Sequence, residues 1–332
     1  MNLIICTTPF QMLLAEKIID VYIEEEFFLV VITDNMNDKY QYYYNKLLKK
    51  VKKAICIKTL LTHNIKICRN FFDVLDLLYF RLYGVYLGNR SYKKIFLANV
   101  ESFRVHMFLS GFKNYELYTF DDGTANIIEG SHLYKETLIG AKKRLLMKII
   151  GNKLSLSILK SKSKLHFTIY KDLKNIIDNV YCIELFSDKL DKLIQKTNAN
   201  FDNVSKEIKI FLGQPLYEFN PILYERISSY LKLYNIDYYF SHPRETKCYF
   251  SSVKYIETSL LFEDYLLKEL MGKDVSISVY TIFSSSLLNI INFPNITLFA
   301  IYDKEVEKMK EIYEIFRKKG VNIVSYGVDS RV

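Results

Sequence analysis

Short apolar runs alternate with longer amphipathic stretches along most of this chain, and few patterns restrict a fold more. Strands joined by helical crossovers pair in parallel and are buried on both faces, so each strand reads as a continuous apolar run. Runs at 2–6, 26–33, 54–57, 94–99 and 115–120 are separated by helical patterns at 9–21, 38–53 and 71–86 and by a further one after 99. Thr8 is placed to cap the first helix, with Pro9 at its first position. Runs at 166–170 and 180–184 complete this half, and the polar stretch 187–205 reads as a linker. The alternation then restarts, with strands at 207–212, 236–240, 275–280 and 296–300 and helices at 221–234, 260–271, 284–291 and 304–319. The expected fold is α/β: two doubly wound domains, 1–200 and 206–332, with parallel sheets facing a central cleft. A chain of 332 residues is long enough for two such cores. No Gly-x-Gly-x-x-Gly follows the first run, which argues against a dinucleotide site there.

The formal charge of +9 favours an anionic partner. The aromatic residues, all Tyr and Phe, are spread along the elements without the basic-aromatic motif of an RNA-binding module, so no nucleic acid is expected. The chain shows neither a membrane-spanning run nor a secretory start at 1–14, and it reads as cytoplasmic. Five scattered cysteines, Cys6, Cys56, Cys68, Cys182 and Cys248, read as reduced core thiols. Residues 134–164 carry nine basic side chains against one acid, Glu136, with an apolar stripe broken at Gly151. Such a segment either lies on an anionic membrane, here the inner face of the cell membrane, or covers the domain core.

Chemistry gathers where strands end. Asp121, Asp122 and Gly123 follow the run 115–120, so paired carboxylates emerge at a strand exit with a glycine that permits a sharp turn. The competing reading is a turn and nothing more. His242 leaves the run 236–240 just before Pro243, which keeps the chain extended. An acid and a histidine at two strand exits suit a general base and a general acid. The other histidines, His63, His106, His132 and His166, are expected at the surface or in the core. Gly213, Gln214 and Pro215 form a turn after the run 207–212. Ser284, Ser285 and Ser286 precede a helix and suit either a phosphate site or an N-cap. No Asp-x-Asp and no His or Cys cluster suggests a divalent metal site.

Together, Thr8-Pro9-Phe10-Gln11, Asp121-Asp122-Gly123, His242-Pro243 and the run Ser284 to Ser286 resemble, in order and spacing, the bacterial lipooligosaccharide sialyltransferases of glycosyltransferase family 52. The resemblance spans nearly the whole chain. It implies a GT-B fold of two Rossmann-like domains, and CMP-sialic acid as donor with no metal or other cofactor. It further implies transfer with inversion to a terminal galactose of a surface glycan. It matches Asp121 to the base and His242 to the acid and phosphate ligand. Ser285 and Ser286, with Ser284 keeping the register open, match the phosphate-binding hydroxyls. Glu263, or alternatively Glu257, matches the ribose ligand. Gly213, Gln214 and Pro243 complete the expected nucleotide site, and Thr8, Gln11, Asp122, Gly123 and Asn126 the expected substrate site. Three expectations stay open: a different nucleotide sugar, a non-enzymatic membrane-surface protein, and a homodimer.

Overall fold

The computed structural model describes residues 1–59, 69–136, 140–186, 190, 206–218, 220–245, 250–270, 273 and 275–326. The expected linker thus lies almost wholly outside the described residues, as do Cys68, Cys248 and His63. Two compact units emerge, Met1–Met36 with Tyr40–Leu185 and Asn37–Lys39 with Phe186–Val332. Apart from the short segment Asn37–Lys39, the chain passes from one to the other at Leu185 and Phe186.

The first unit holds a parallel sheet of seven strands in the order β3-β2-β1-β4-β5-β6-β7. They are β1 Asn2–Cys6, β2 Phe27–Ile32, β3 Lys53–Ile57, β4 Lys94–Leu97, β5 Glu116–Phe120, β6 Ser163–Thr168 and β7 Val180–Cys182. β1 and β2 are buried along their whole length, as strands covered on both faces must be. Their crossovers include α1 Pro9–Val21, α2 Asp38–Leu48, α3 Arg69–Gly88 and α4 Phe103–Leu109. Strand order reverses between β1 and β4, the switch point where doubly wound sheets open a crevice. The basic segment folds as α5 Ala141–Ile149 and α6 Leu156–Lys162, parted by a turn in which Gly151 takes φ +92°.

The second unit holds six parallel strands in the order β10-β9-β8-β11-β12-β13, with its reversal between β8 and β11. They are β8 Lys206–Leu212, β9 Tyr238–Phe240, β10 Lys254–Tyr255, β11 Val275–Thr281, β12 Ile296–Tyr302 and β13 Asn322–Ser325. The edge strands β10 and β13 escape the sequence pattern because they are short and only half covered. α7 Pro221–Leu233 is capped by the Asn220 side chain, which accepts from Leu223 N.

Three expected helices are broken up. The segment after residue 260 is one α-turn, α8 Phe262–Tyr265, running into a π-helical turn Leu266–Leu270. The segment after the serines is a single turn, α9 Ser286–Asn289. The last is a 3₁₀ stretch Lys304–Met309 leading into α10 Lys310–Lys318. The cysteines also divide: Cys6 is buried, whereas Cys182, on the exposed edge strand β7, corrects the expectation of a core thiol.

Candidate active site

β5 ends at Phe120, and the two acids that follow it point to different environments. Asp121 is fully buried. Its Oδ1 accepts from His166 Nε2 at 2.9 Å and from Asn175 Nδ2 at 3.1 Å, and its Oδ2 accepts from Ile169 N at 2.8 Å. Three donors converge on this carboxylate, which leaves about one of its four acceptor sites unmatched. A candidate base must come within hydrogen-bond reach of the proton it takes.

Asp122, next in the chain, is partly exposed. Its Oδ1 accepts a short hydrogen bond from Gln11 Nε2. Burial pushes its carboxyl up to about 6, aided by the negative charges of Glu101 and Asp121 and opposed by the Gln11 hydrogen bond and by His132. A carboxylate held near neutrality is a stronger proton acceptor than an ordinary one and is still ionised at pH 7.

The surroundings of Asp122 are built by α1, whose position Thr8 and Pro9 set. Gln11 N donates to Thr8 Oγ1 at 3.2 Å, and Gln11 Oε1 accepts from Thr7 N at 2.6 Å, which turns its amide nitrogen toward Asp122. Gly123 adopts φ +110°, a backbone state costly for any residue with a Cβ, and turns the chain into a short 3₁₀ segment, Thr124–Asn126. Asn126 is buried and its Oδ1 accepts from Asp122 N at 2.7 Å. Asn126 Nδ2, also buried, has no hydrogen-bond partner among the described residues. Thr8, Gln11, Asp122, Gly123 and Asn126 therefore form one cluster at the carboxyl ends of β1 and β5.

Sequence reasoning missed four participants here. His166 and Asn175 anchor Asp121 from within and beyond β6. Glu101 pairs with His132 at 3.1 Å, which raises the affinity of that imidazole for its proton, and both act on Asp122. The signal for His166 was its register: it stands opposite Thr119 once β6 pairs with β5.

In the second unit His242 follows β9. Its Nδ1 accepts from Arg244 N at 3.1 Å, so the proton of the neutral ring resides on Nε2, free to donate. Burial pushes the imidazole down to about 3, with Arg244 adding repulsion, so in the unliganded protein His242 is a neutral donor. Its backbone N–H donates to Glu245 Oε2 at 2.6 Å, and Tyr239 Oη donates to Glu245 Oε1 at 2.8 Å. Glu245, also missed in the sequence, thereby clamps the His242-Pro243 corner. Burial pushes its carboxyl up to about 7.

Gly213 lies under that clamp. A Cβ there would fall 2.2 Å from Glu245 Oε2 and 2.6 Å from Tyr239 Oη, so the glycine is required by close packing of the clamp. Gln214 is buried, and its Oε1 accepts from Phe283 N at 3.0 Å, tying the end of β8 to the end of β11. Ser284, Ser285 and Ser286 follow, all partly exposed. A helix of one turn has little dipole, so their hydroxyls rather than α9 itself are what this corner offers an anion. Glu263 is buried, accepts from Asn289 Nδ2 at 2.7 Å and is also hydrogen-bonded by Ser286. Its carboxylate braces α8 against α9, and Glu257 is exposed.

The chain is 34% identical over 331 residues to a protein of Pasteurella multocida named CMP-N-acetylneuraminate:beta-galactoside alpha-2,3-sialyltransferase, covering 98% of this chain and 99% of that one. It is also 34% identical over 327 residues to an N-acetyllactosaminide alpha-2,3-sialyltransferase of Haemophilus influenzae, covering 97% and 99%. Among solved structures it resembles Medicago truncatula UGT71G1 complexed with UDP-glucose, at a TM-score of 0.52 and 11% identity over 99% of this chain and 86% of that one. That likeness establishes the GT-B fold class. A profile of glycosyltransferase family 52 matches residues 24–305, and the chain belongs to that family.

Proposed function

We propose that this glycosyltransferase moves sialic acid from CMP-sialic acid to a terminal galactose of a surface glycan, with Asp122 as the base. The observation that supports this choice of base is the difference in surroundings at the end of β5: Asp121 is buried and accepts from three protein donors, whereas Asp122 is partly exposed and its carboxyl is raised to about 6. The acceptor oxygen forms its bond to the anomeric carbon as the bond to the phosphate oxygen breaks, and that electron pair leaves on CMP. Asp122 takes the hydroxyl proton. His242 donates Nε2–H to the departing phosphate, and the serine hydroxyls supply further donors. A monophosphate leaves with less charge than a nucleoside diphosphate, so these neutral donors suffice and no metal is required. Attack from the face opposite the phosphate inverts the anomeric centre.

A donor panel tests the reading. CMP-sialic acid, but no UDP-sugar, should be turned over, equally with and without EDTA. Preference for a UDP-sugar would overturn the donor, and failure to bind any nucleotide would favour a surface-binding protein.

We place the enzyme at an anionic membrane surface, the inner face of the cell membrane. α5 leaves Leu145 61% and Ile149 72% exposed, flanked by exposed Lys142, Arg144 and Lys148, which supports this reading. Among the described residues no helix is long and apolar enough to cross a membrane.

A further inference from the structure

A cavity of about 730 Å³ lies in the first unit, lined by α4, α5, α6 and the turn between the last two, and it falls within the size range of ligand sites. The turn is closed by Gly151 at φ +92°: Asn152 N donates to Met147 O at 2.9 Å and Gly151 N to Lys148 O at 3.1 Å, the pattern that ends a helix. Asn152 Oδ1 then accepts from Leu154 N at 3.2 Å, which fixes the amide and leaves Nδ2 without a partner among the described residues. His106 lines the same cavity and is 2% exposed. Its Nε2 lies 2.8 Å from Val100 O, which can only accept, so that nitrogen carries the hydrogen. Burial disfavours a second proton on the ring, and Nδ1 is left as an acceptor with no partner among the described residues. Arg144 and Lys148, one turn apart on α5, and Lys153 after the turn line the cavity as well; all three are exposed and none pairs with an acid among the described residues.

We propose that this cavity is an acceptor subsite for a phosphorylated sugar, lying inward along the glycan from the galactose that receives the transferred residue. Arg144, Lys148 and Lys153 meet the phosphate, and Asn152, Glu136 and Glu101 meet ring hydroxyls. Three unpaired cations on one wall call for an anion, and a guanidinium among them suits the paired oxygens of a phosphate. The carboxylates Glu101 and Glu136 line the cavity too, which disfavours a bare polyanion and suits sugar hydroxyls, since these donate to carboxylates. The place of the cavity fits an acceptor. Glu101 also pairs with His132 at 3.1 Å, and the charges of both are felt at Asp122, so the cavity adjoins the strand exit after β5. This rests on the reading of the chain as a transferase to a surface glycan, and it stands whichever acid after β5 takes the proton.

The test uses two lipid-free oligosaccharides that end in galactose and are identical except for one phosphate on an inner sugar, so attachment to membranes plays no part. With the full chain and CMP-sialic acid, the phosphorylated acceptor should be preferred by roughly 10-fold in kcat/KM, through KM with kcat within about twofold, and the preference should shrink as salt is raised. Arg144→Gln with Lys153→Gln should erase it, and because both side chains are exposed the fold is kept. Lys135→Gln, in the same basic segment but outside the cavity, should leave it. Equal kcat/KM for the two acceptors in the wild type, or as large a loss of preference in Lys135→Gln as in the double variant, overturns the subsite. Turnover of neither acceptor would instead sink the transferase reading, and calorimetry with the same two oligosaccharides then decides the subsite by itself. Tighter binding of the phosphorylated one, removed by the double variant, supports it; equal binding overturns it.

Discussion

Gln11 donates its side-chain amide to Asp122 across 111 positions of sequence, joining the start of α1 to the end of β5. The bond places one carboxylate oxygen and leaves the other outside it. Asp121, next in the chain, has no such freedom, because both its oxygens are taken by buried donors. The two acids therefore respond differently to the same substitution.

Asp122→Asn should reduce kcat by roughly 10²- to 10⁴-fold while CMP binding, followed by calorimetry, stays within about twofold. Asparagine keeps the oxygen that accepts from Gln11, so the fold is retained. Asp121→Asn places an amide against three donors and should lower both the melting temperature and the activity. Asp122→Asn turning over at the wild-type rate would remove this carboxylate from the mechanism.

The raised Asp122 carboxyl has two consequences of opposite sign. As a base it must be ionised, so kcat/KM should fall on the acid side with a midpoint near pH 6. For stability, a carboxyl whose folded value is raised contributes below its ordinary range and loses that contribution as pH rises through about 6. The melting temperature of Asp122→Asn relative to wild type should therefore improve above pH 6 and not below pH 4. A difference that grew on acidification would reverse the sign and refute the assignment.

His242→Ala should lower kcat by about 10²- to 10³-fold, the usual cost of one donor to a developing anion. Because the imidazole is neutral in the free enzyme, no ionisation of His242 should appear in kcat/KM between pH 5 and 8. A basic limb that vanishes in His242→Ala would contradict that neutrality.

Gly213→Ala drives a methyl into Glu245 and Tyr239 and should destabilise the second unit by about 1–3 kcal/mol, measured by chemical denaturation. Glu245→Ala removes the nearer of those atoms, so the double variant should be less destabilised than the sum of the singles. Strict additivity would show that the clash is relieved elsewhere.

Attachment to anionic vesicles should weaken sharply from low to high salt, since each basic residue near such a surface contributes about 1 kcal/mol and is screened. Ile149→Ser with Lys148→Glu should abolish it, while turnover of a short soluble acceptor stays near wild type. Indifference to anionic vesicles at low salt would assign the positive charge to the substrates alone.

The alternation of apolar runs was enough to read two parallel α/β units, because strands buried on both faces must be apolar throughout and helices between them must be amphipathic. Thr8, Gly123 and the His242-Pro243 corner were legible as local features for a similar reason: capping, positive φ and restricted backbone are local demands on residue type. β10, β13 and the broken helices were not, since edge strands and single turns carry too few residues to show a period. The difference in surroundings between Asp121 and Asp122 lay wholly beyond the sequence, in which two adjacent acids are chemically alike. Pairing of β6 with β5 brings His166 against Asp121, and the entry of α1 brings Gln11 to Asp122. Burial and hydrogen-bond partners set each carboxylate's surroundings, and only the tertiary structure supplies them.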